Sequence, residues 1–492
     1  MNSKNSVVLS GDRTVRCFGR YLGGLLALFL LANMSGCAAV GPDYVPVEIK
    51  AADAWNSGLA GGLTDKAISP ATLAAWWKIL DDPVLSSLMD RAVAGNLDLE
   101  QARARVRESR ARSGISRAAV FPVIDATGAV TRSRSGGSET DLYAAGFDAG
   151  WELDLFGGLQ RSIEASDADL HASAEGCNNV LVSLLAEVAL NYVDTRTYQA
   201  RLVIAQANVE AQQETCGLIQ WRVQAGLSDE LALQQARYNL ENTRSQIPTL
   251  RTGLEETLNR LAVLLGQPPG AIHAELKDRK SIPVTPLEVA VGVPADTLRH
   301  RPDIRMAERE LAAQTARVGG ATADLYPKFS LTGTIGLESL SITDFIDAAS
   351  QIWRIGPGFS WNIFDAGSIR QNIQVQSALQ EQALIQYEST VLDAMEEVEN
   401  ALVAYAQEQQ RRKSLKAGKN AARLAAQLAT AQYQAGFVDF SNVLDAQRML
   451  LSFEDNLALS DGMVTSNLVR LYKALGGGWA SLGITQTGEH QK

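Results

Sequence analysis

The residue types that most often carry catalysis or bind metals are few and scattered in this chain. It has 492 residues but only four cysteines and four histidines. The histidines, His171, His273, His300 and His490, show no metal-ligand spacing, and no nucleophile is paired with a base. The sequence therefore predicts no enzyme, no metal site and no cofactor.

Two cysteines, Cys177 and Cys216, lie on one predicted helix. Thirty-nine residues separate them, which is ~58 Å of helix at ~1.5 Å per residue, whereas a disulfide tolerates only ~7 Å between Cα atoms. They are expected to be packed thiols.

A third cysteine, Cys37, has the sequence context for lipid attachment. Basic residues precede a short apolar run at 22–32, which is too brief to span a bilayer and is typical of a signal peptide. The run ends in Met34-Ser35-Gly36-Cys37, which resembles the lipobox of bacterial lipoproteins. We expect residues 1–36 to be removed and Cys37 to be acylated, and Ala38 after it favours the outer membrane. A plain secretory signal with an incidental cysteine is the alternative.

The charge balance argues against nucleic acid as a partner. The formal net charge is −10, and signal removal would take it to about −13, whereas nucleic-acid binding requires clustered Lys and Arg. The segment "QARARVRESRARSGISR" is the exception, but its helical pattern predicts a solvated or interhelical face.

Four segments alternate apolar and polar residues as strands do. "GGATADLYPKFSLTGTIGLESL" passes through Tyr326-Pro327 and then alternates, and "RAAVFPVIDATGAVTRS" does the same after Phe121-Pro122. The alternation predicts strands at about 123–133, 143–155, 328–340 and 351–364. Each is about as long as a tilted membrane-spanning strand, which needs ~9 to 11 residues.

Between the strands the chain predicts very long helices and a repeat. Residues 159–247 contain no proline, and a helix over 160–224 would be ~100 Å long. Gln-Ala-Gly recurs at Gly226 and Gly436, followed by Asp229 and Asp439, which predicts two helix turns with a C-cap glycine and an N-cap aspartate. We expect a tandem duplication: an extended linker (37–75), a first repeat (76–275), a second linker (276–293), a second repeat (294–478) and a tail (479–492).

Four strands are too few to close a membrane barrel, since the smallest have about eight. Open sheet edges cannot lie in hydrocarbon, and no apolar run of ~18 residues is visible after Cys37. Either the hairpins cover a soluble core, or several chains pool their strands. The anchor expected at Cys37 favours an oligomeric barrel.

Three segments identify a family resemblance: "WWKILDDPVLSSLMDRAVAGNLDLEQARARV", "LRHRPDIRMAERELAAQTARVGGATADLYPKFSLTG" and "VLDAQRMLLSFEDNLA". They resemble the TolC-like outer-membrane factors, in particular the NodT-type lipoproteins of resistance-nodulation-division efflux systems. The resemblance implies a mixed α and β membrane protein that forms a homotrimer. Its twelve-stranded barrel, with four strands per chain, would continue into a long periplasmic α-helical barrel.

The resemblance also implies a function and partners. The chain would be the passive exit duct of a tripartite efflux pump in the outer membrane of a Gram-negative bacterium, with a periplasmic adaptor (membrane fusion) protein and an inner-membrane pump as partners. The exit duct of a type I protein-secretion system and a coiled-coil envelope lipoprotein without a pore remain as alternatives.

The site residues follow from the same resemblance. Asp445 matches a periplasmic gate position, and Asn442 stands where some members have a second Asp. The adaptor-contact turns would be Gly226-Leu227-Ser228 and Gly436-Phe437-Val438. A solvated helix aspartate and simple C-caps are the alternatives. Side chains expected to face lipid are Trp151, Leu153, Phe329, Leu331, Phe359 and Trp361, and those expected to face a watery lumen are Asp148, Glu152, Asp154, Ser360 and Asn362.

Overall fold

A computed structural model describes residues 39–48, 54–283 and 288–479. The predicted signal peptide, Cys37 and most of the predicted tail lie outside the described residues. The chain divides into two compact units. We call them the sheet unit (39–45, 110–169 and 311–383) and the helical unit (46–48, 54–109, 170–283, 288–310 and 384–479).

The elements follow one another along the chain in this order: β1 (Leu63–Thr64), α1 (Pro70–Ala74), a 3-10 helix (Trp76–Leu80), α2 (Pro83–Gly95), α3 (Leu97–Ala118), β2 (Val123–Ser135), β3 (Ser138–Leu153), α4 (Gly158–Gln224), α5 (Glu230–Leu264), β4 (Val289–Ala290), α6 (Pro294–Arg299), α7 (Pro302–Ala323), β5 (Lys328–Ser339), a second 3-10 helix (Ala348–Ser350), β6 (Gln351–Ser360), α8 (Ser368–Gln434) and α9 (Phe440–Ala474).

The sheet unit contains one antiparallel sheet with the order β2-β3-β5-β6. A two-residue turn joins β2 to β3, and its residues Gly136 and Gly137 have φ of 60° and 91°. Only glycine adopts two such angles readily, and this turn lets the ladder continue to its tip. For this reason β3 begins at Ser138, five residues earlier than the sequence predicts.

At the other end of the sheet, β3 and β6 end earlier than the sequence predicts. The β5–β6 ladder ends at the pair Lys328 and Ser360, because the preceding residue, Pro327, has no N–H to donate. Trp361 and Asn362 therefore lie outside the strand, and their predicted facing stays a prediction. Asp154 also lies outside, since β3 ends at Leu153, and its Oδ2 accepts the backbone N–H of Gln160 at 2.8 Å in the first turn of α4.

The aromatic-Pro steps are held by a bond that occurs twice. Trp151 Nε1 donates to the carbonyl oxygen of Val120 at 2.8 Å, and Trp361 Nε1 donates to that of Leu325 at 3.1 Å. Each indole thus satisfies a carbonyl group just past the end of α3 or α7, where helix hydrogen bonds stop. The same type of hydrogen bond therefore stabilises the bend from helix to strand in both halves of the chain.

The helical hairpins of the two halves of the chain have matching arm lengths. Both α4 and α8 have 67 residues, and both α5 and α9 have 35. The largest apolar cluster includes Leu85, Leu185, Leu261 and Leu468, and Trp76 stacks on Tyr472 with 5.6 Å between ring centres. Burial of these side chains orders the helical unit, at ~25 cal/mol per Å² of apolar surface.

The structure bears on three further expectations from the sequence. Cys177 is buried and Cys216 half-buried, and both are free thiols. The linker predicted at 37–75 is not simply extended, because β1 pairs in parallel with β4 and α1 follows. One described helix, α4, contains an 18-residue segment apolar enough to cross a membrane, contrary to expectation, but 61% of that segment is buried inside the protein.

Candidate functional site

The two hairpin turns of the helical unit have the same backbone geometry. Gly226 and Gly436 have φ of 72° and 81°. The amide of the next residue reaches back to a helix carbonyl, from Leu227 to Arg222 at 2.8 Å and from Phe437 to Gln432 at 2.9 Å. This is the glycine-ended helix turn that the sequence predicts at both places.

The aspartates after the two turns differ. Asp229 Oδ1 accepts the amide of Ala232 at 2.9 Å and caps α5. Asp439 is likewise the N-cap residue of α9, as predicted, but its side chain makes no cap bond. The amide of Asn442 instead donates to the backbone carbonyl of Asp439 at 3.1 Å, which leaves the carboxylate without that donor.

A cavity of about 590 Å³ lies between the two turns. Four of the six predicted contact residues line it: Leu227, Ser228, Gly436 and Val438. The guanidinium of Arg222 lies over the ring of Tyr433 at 4.8 Å. The remaining turn residue with a large side chain, Phe437, is 82% exposed. The turns therefore border a largely polar recess, whose lining includes Arg222, Asp229 and Asp439.

The predicted gate residues lie on one helix just beyond this recess. Asp445 Oδ1 accepts from Arg448 Nη1 at 3.3 Å, and the Asp445 side chain is 74% exposed. Asn442 Nδ2 donates weakly to the carbonyl of Asp439 at 3.4 Å. Within one chain Asp445 is a solvated carboxylate with a single, loose ion pair, which leaves it available to a neighbour.

Arg448 is a residue of this region that the sequence does not reveal. Its Nε donates to Asn239 Oδ1 at 2.7 Å, and its guanidinium lies over the ring of Tyr238 at 5.1 Å. It thereby ties α9 to α5 across the hairpins. The only signal in the sequence is its spacing of three residues from Asp445, which fits a helix-surface ion pair.

The sheet presents one polar and one apolar face, as its alternation predicts. On the polar face, Asp148 accepts hydroxyl hydrogen bonds from Thr127 at 2.7 Å and Thr334 at 2.8 Å, one from each neighbouring strand. On the apolar face the rings and branched side chains are exposed, as in Trp353 (75%) and Ile335 (64%). Such a face requires a nonaqueous neighbour.

The described side chains of this region form contact surfaces and no metal-binding cluster. Among the described residues, no cluster of three or more His, Cys, Asp or Glu side chains is arranged to hold a metal ion. At the start of α8, Asp365 accepts backbone N–H groups from Ile369 at 2.6 Å and Gly367 at 2.9 Å. These bonds favour the carboxylate and hold the pKa of Asp365 below its usual range.

Comparison with known proteins gives consistent matches over nearly the whole chain. The family model described as outer membrane efflux protein matches residues 88–267 and 293–477. Nodulation protein T of Rhizobium leguminosarum bv. trifolii is 32% identical over 447 residues, covering 90% of this chain and 93% of its own. Solvent efflux pump outer membrane protein SrpC of Pseudomonas putida is 32% identical, covering 92% and 98%. The solved outer-membrane channel OprN superposes with a TM-score of 0.83 at 36% identity, covering 89% of this chain and 99% of its own.

Proposed function

The chain belongs to the outer membrane efflux protein family, and from this premise we propose that three copies join their sheets into one twelve-stranded barrel. The protein is an outer-membrane exit duct of an efflux pump, and members of this family are channels rather than enzymes.

The main support for a shared barrel is that the sheet of one chain has two open edges. β2 and β6 are the outer strands of the sheet, and every residue of β2 is exposed. Edges with free N–H and C=O groups cannot persist in hydrocarbon. Because β2 and β6 run in opposite directions, the β2 edge of one copy fits the β6 edge of the next in antiparallel fashion.

The same arrangement identifies the helices that meet between copies. α3 leads into β2, and α8 follows β6, so these helices border the same two edges. Both carry exposed apolar side chains near the sheet, with Ile115 72% and Val375 54% exposed. A contact of one edge with the opposite edge is heterologous, and it closes into a ring when the rotation per copy is one third of a turn.

Partners, cargo and lipid attachment complete the proposal. The duct carries small toxic molecules supplied through a periplasmic adaptor and an inner-membrane pump. The recess between the Gly226 and Gly436 turns binds the periplasmic adaptor protein. The name of SrpC, a solvent efflux pump protein, supports such cargo. Asp445, with Asn442 beside it, lines the periplasmic gate, and Cys37 carries the lipid. Equal arm lengths and the repeated Trp bond support a tandem duplication.

Single-channel recording in planar bilayers tests the duct. The purified protein should give discrete conductance steps, and a coiled-coil scaffold would give none.

Cysteine cross-linking tests the closure separately. In a Cys177→Ser, Cys216→Ser background, Ile115→Cys combined with Gln371→Cys, Val375→Cys or Ala378→Cys should yield a covalent trimer. Each single cysteine should yield only monomers. Covalent dimers from a single cysteine would show that like edges meet, and the closure proposed here would be wrong.

A further inference from the structure

The first described residues of the chain are held by one buried arginine. Arg161, in the first turn of α4, is only 4% exposed. Its Nε donates to the carbonyl of Val40 at 3.1 Å, and its Nη2 donates to Asp43 Oδ1 at 2.7 Å. Nη2 also lies 3.4 Å from the carbonyl oxygens of Ala39 and Gly41. Nη1 is taken by Glu164 at 2.8 Å.

Glycines let the segment approach the helices on both sides. A Cβ on Gly157, at the start of α4, would lie 2.5 Å from the Cα of Ala39. A Cβ on Gly41 would lie 2.4 Å from the Cα of Gly319 in α7. Gly319 in turn packs on Arg161, since its Cβ would lie 2.8 Å from Nε. Residues 39–43 therefore occupy a fitted seat, formed by Arg161, Gly157 and Gly319.

The seat lies at the foot of the strands. Val40 donates its amide to the carbonyl of Phe156 at 3.1 Å, and Phe156 comes three residues after the end of β3 at Leu153. Cys37 precedes Ala39 by two residues, and an extended chain spans at most ~3.6 Å per residue. A lipid on Cys37 is thus tethered within about 7 Å of Ala39, at the base of the sheet.

We propose that Arg161 and its seat are a positioning device for the lipid anchor, which place the acyl chains in the membrane against the base of the sheet. The inference rests on the proposed lipidation and barrel. A membrane-bound anchor raises the effective concentration of whatever it is tethered to. A short tether at this point keeps the sheet edges of each copy close to the bilayer, which favours their pairing with the edges of neighbouring copies.

The seat also couples the anchor to the folding of the sheet unit. It is built from the start of α4 and from α7, which come from opposite halves of the chain. It forms only when these helices have packed. An unseated segment would leave Arg161 buried with fewer partners, which is costly for a charged group.

A double-mutant cycle with the lipid site tests the proposal. The protein is expressed with Cys37 or Cys37→Ser, each with Arg161 or Arg161→Ala, and detergent-resistant trimers in the membrane fraction are measured. With Cys37 present, Arg161→Ala should lower the trimer yield several-fold. With Cys37→Ser, which already removes the anchor, Arg161→Ala should lower it little further, because the two changes act through one tether.

Two matched variants keep the test decisive. Gly41→Ala disturbs the seated segment while keeping Arg161, because the added Cβ would lie 2.4 Å from the Cα of Gly319. It should reproduce the effect of Arg161→Ala even if that variant folds poorly. Arg117→Ala removes a more exposed arginine of the same unit, which pairs with Asp167 at 2.7 Å, and it should leave the yield unchanged. If Arg161→Ala and Gly41→Ala cost as much without the lipid as with it, the seat is merely structural and the proposal is wrong.

The double-mutant cycle tests the positioning role of Arg161 separately from the channel function. Trimers that do form from the Arg161→Ala variant should show the conductance of the parent protein. Loss of conductance in the parent would contradict the proposed function, whereas normal conductance with additive losses of yield would contradict only the positioning role.

Discussion

Arginine should destabilise the protein more on the apolar face of β5 than on the polar face. Leu331 is on the apolar face, paired with Trp151 and Pro357. It lies three residues from the start of β5 at Lys328, which is about 10 Å at ~3.3 Å per residue. With a strand tilt of ~35–45°, this is about 8 Å into an apolar band ~25 Å tall.

The cost of Leu331→Arg follows from that depth. Arginine costs ~2–4 kcal/mol at the midplane and less near the interface, so we expect about 2 kcal/mol, or roughly a 30-fold loss in the folded-to-unfolded ratio.

The neighbouring Thr332 lies on the polar face between Gly150 and Gly356, and a Cβ at either glycine would meet open space. Thr332→Arg loses only a 3.3 Å hydroxyl bond to Gly356, worth about 0.5–1.5 kcal/mol.

The assay is the fraction of protein that folds into trimers in lipid vesicles across a urea series. Leu331→Ala and Thr332→Ala serve as controls for the loss of each native side chain, so that only the added charge is compared. Equal penalties for the two arginines would show that both faces meet water, and the strands would then cover a soluble core.

Further predictions concern the lipid site, the tips and acid stability. Cys37→Ser should abolish palmitate labelling, and an unlabelled parent protein would disprove lipidation. Asp445→Ala should weaken cation preference, measured as reversal potential under a salt gradient, because three such carboxylates converge in the proposed trimer; an unchanged potential would exclude Asp445 from the lining. Asp229→Ala should cost ~0.5–2 kcal/mol of thermal stability by removing a cap, while Asp439→Ala should cost little, and equal losses would contradict the assigned bonds. The depressed pKa of Asp365 adds stability at neutral pH that is lost as the pH falls through that pKa; Asp365→Asn should flatten the acid side of the stability profile, and an unaltered profile would assign it to other groups.

Local pattern was sufficient for the strands, the long helices and both glycine turns. Strand facing could be predicted because alternation has a fixed period of two, and the turns because Gly226 and Gly436 adopt positive φ. The ends of the strands were harder to predict from the sequence. Their positions depend on which partner residue can donate, as Pro327 shows, and the partner strand is not visible in a local pattern. Pro248 lies inside α5, so the rule that proline ends a helix also fails where packing holds both sides.

Long-range contacts were beyond the reach of the sequence. Asp229 and Asp439 each follow a Gln-Ala-Gly turn by three residues, yet only the side chain of Asp229 makes a cap bond. The bonds of Arg161 and Arg448 join segments far apart in sequence, and an arginine in a helix has the same appearance whether it is solvated or buried. Only the three-dimensional arrangement distinguishes these cases.

The equal arm lengths constrain how this protein can change over evolution. One inserted residue moves the end of a helix by ~1.5 Å and rotates it by ~100°. At the tips, Ile219 and Leu233 of one hairpin and Phe440 and Leu444 of the other share one buried cluster, so an insertion in a single arm would rotate a buried side chain into water. The length of one hairpin can therefore change only together with that of the other, through matched insertions in both halves of the chain.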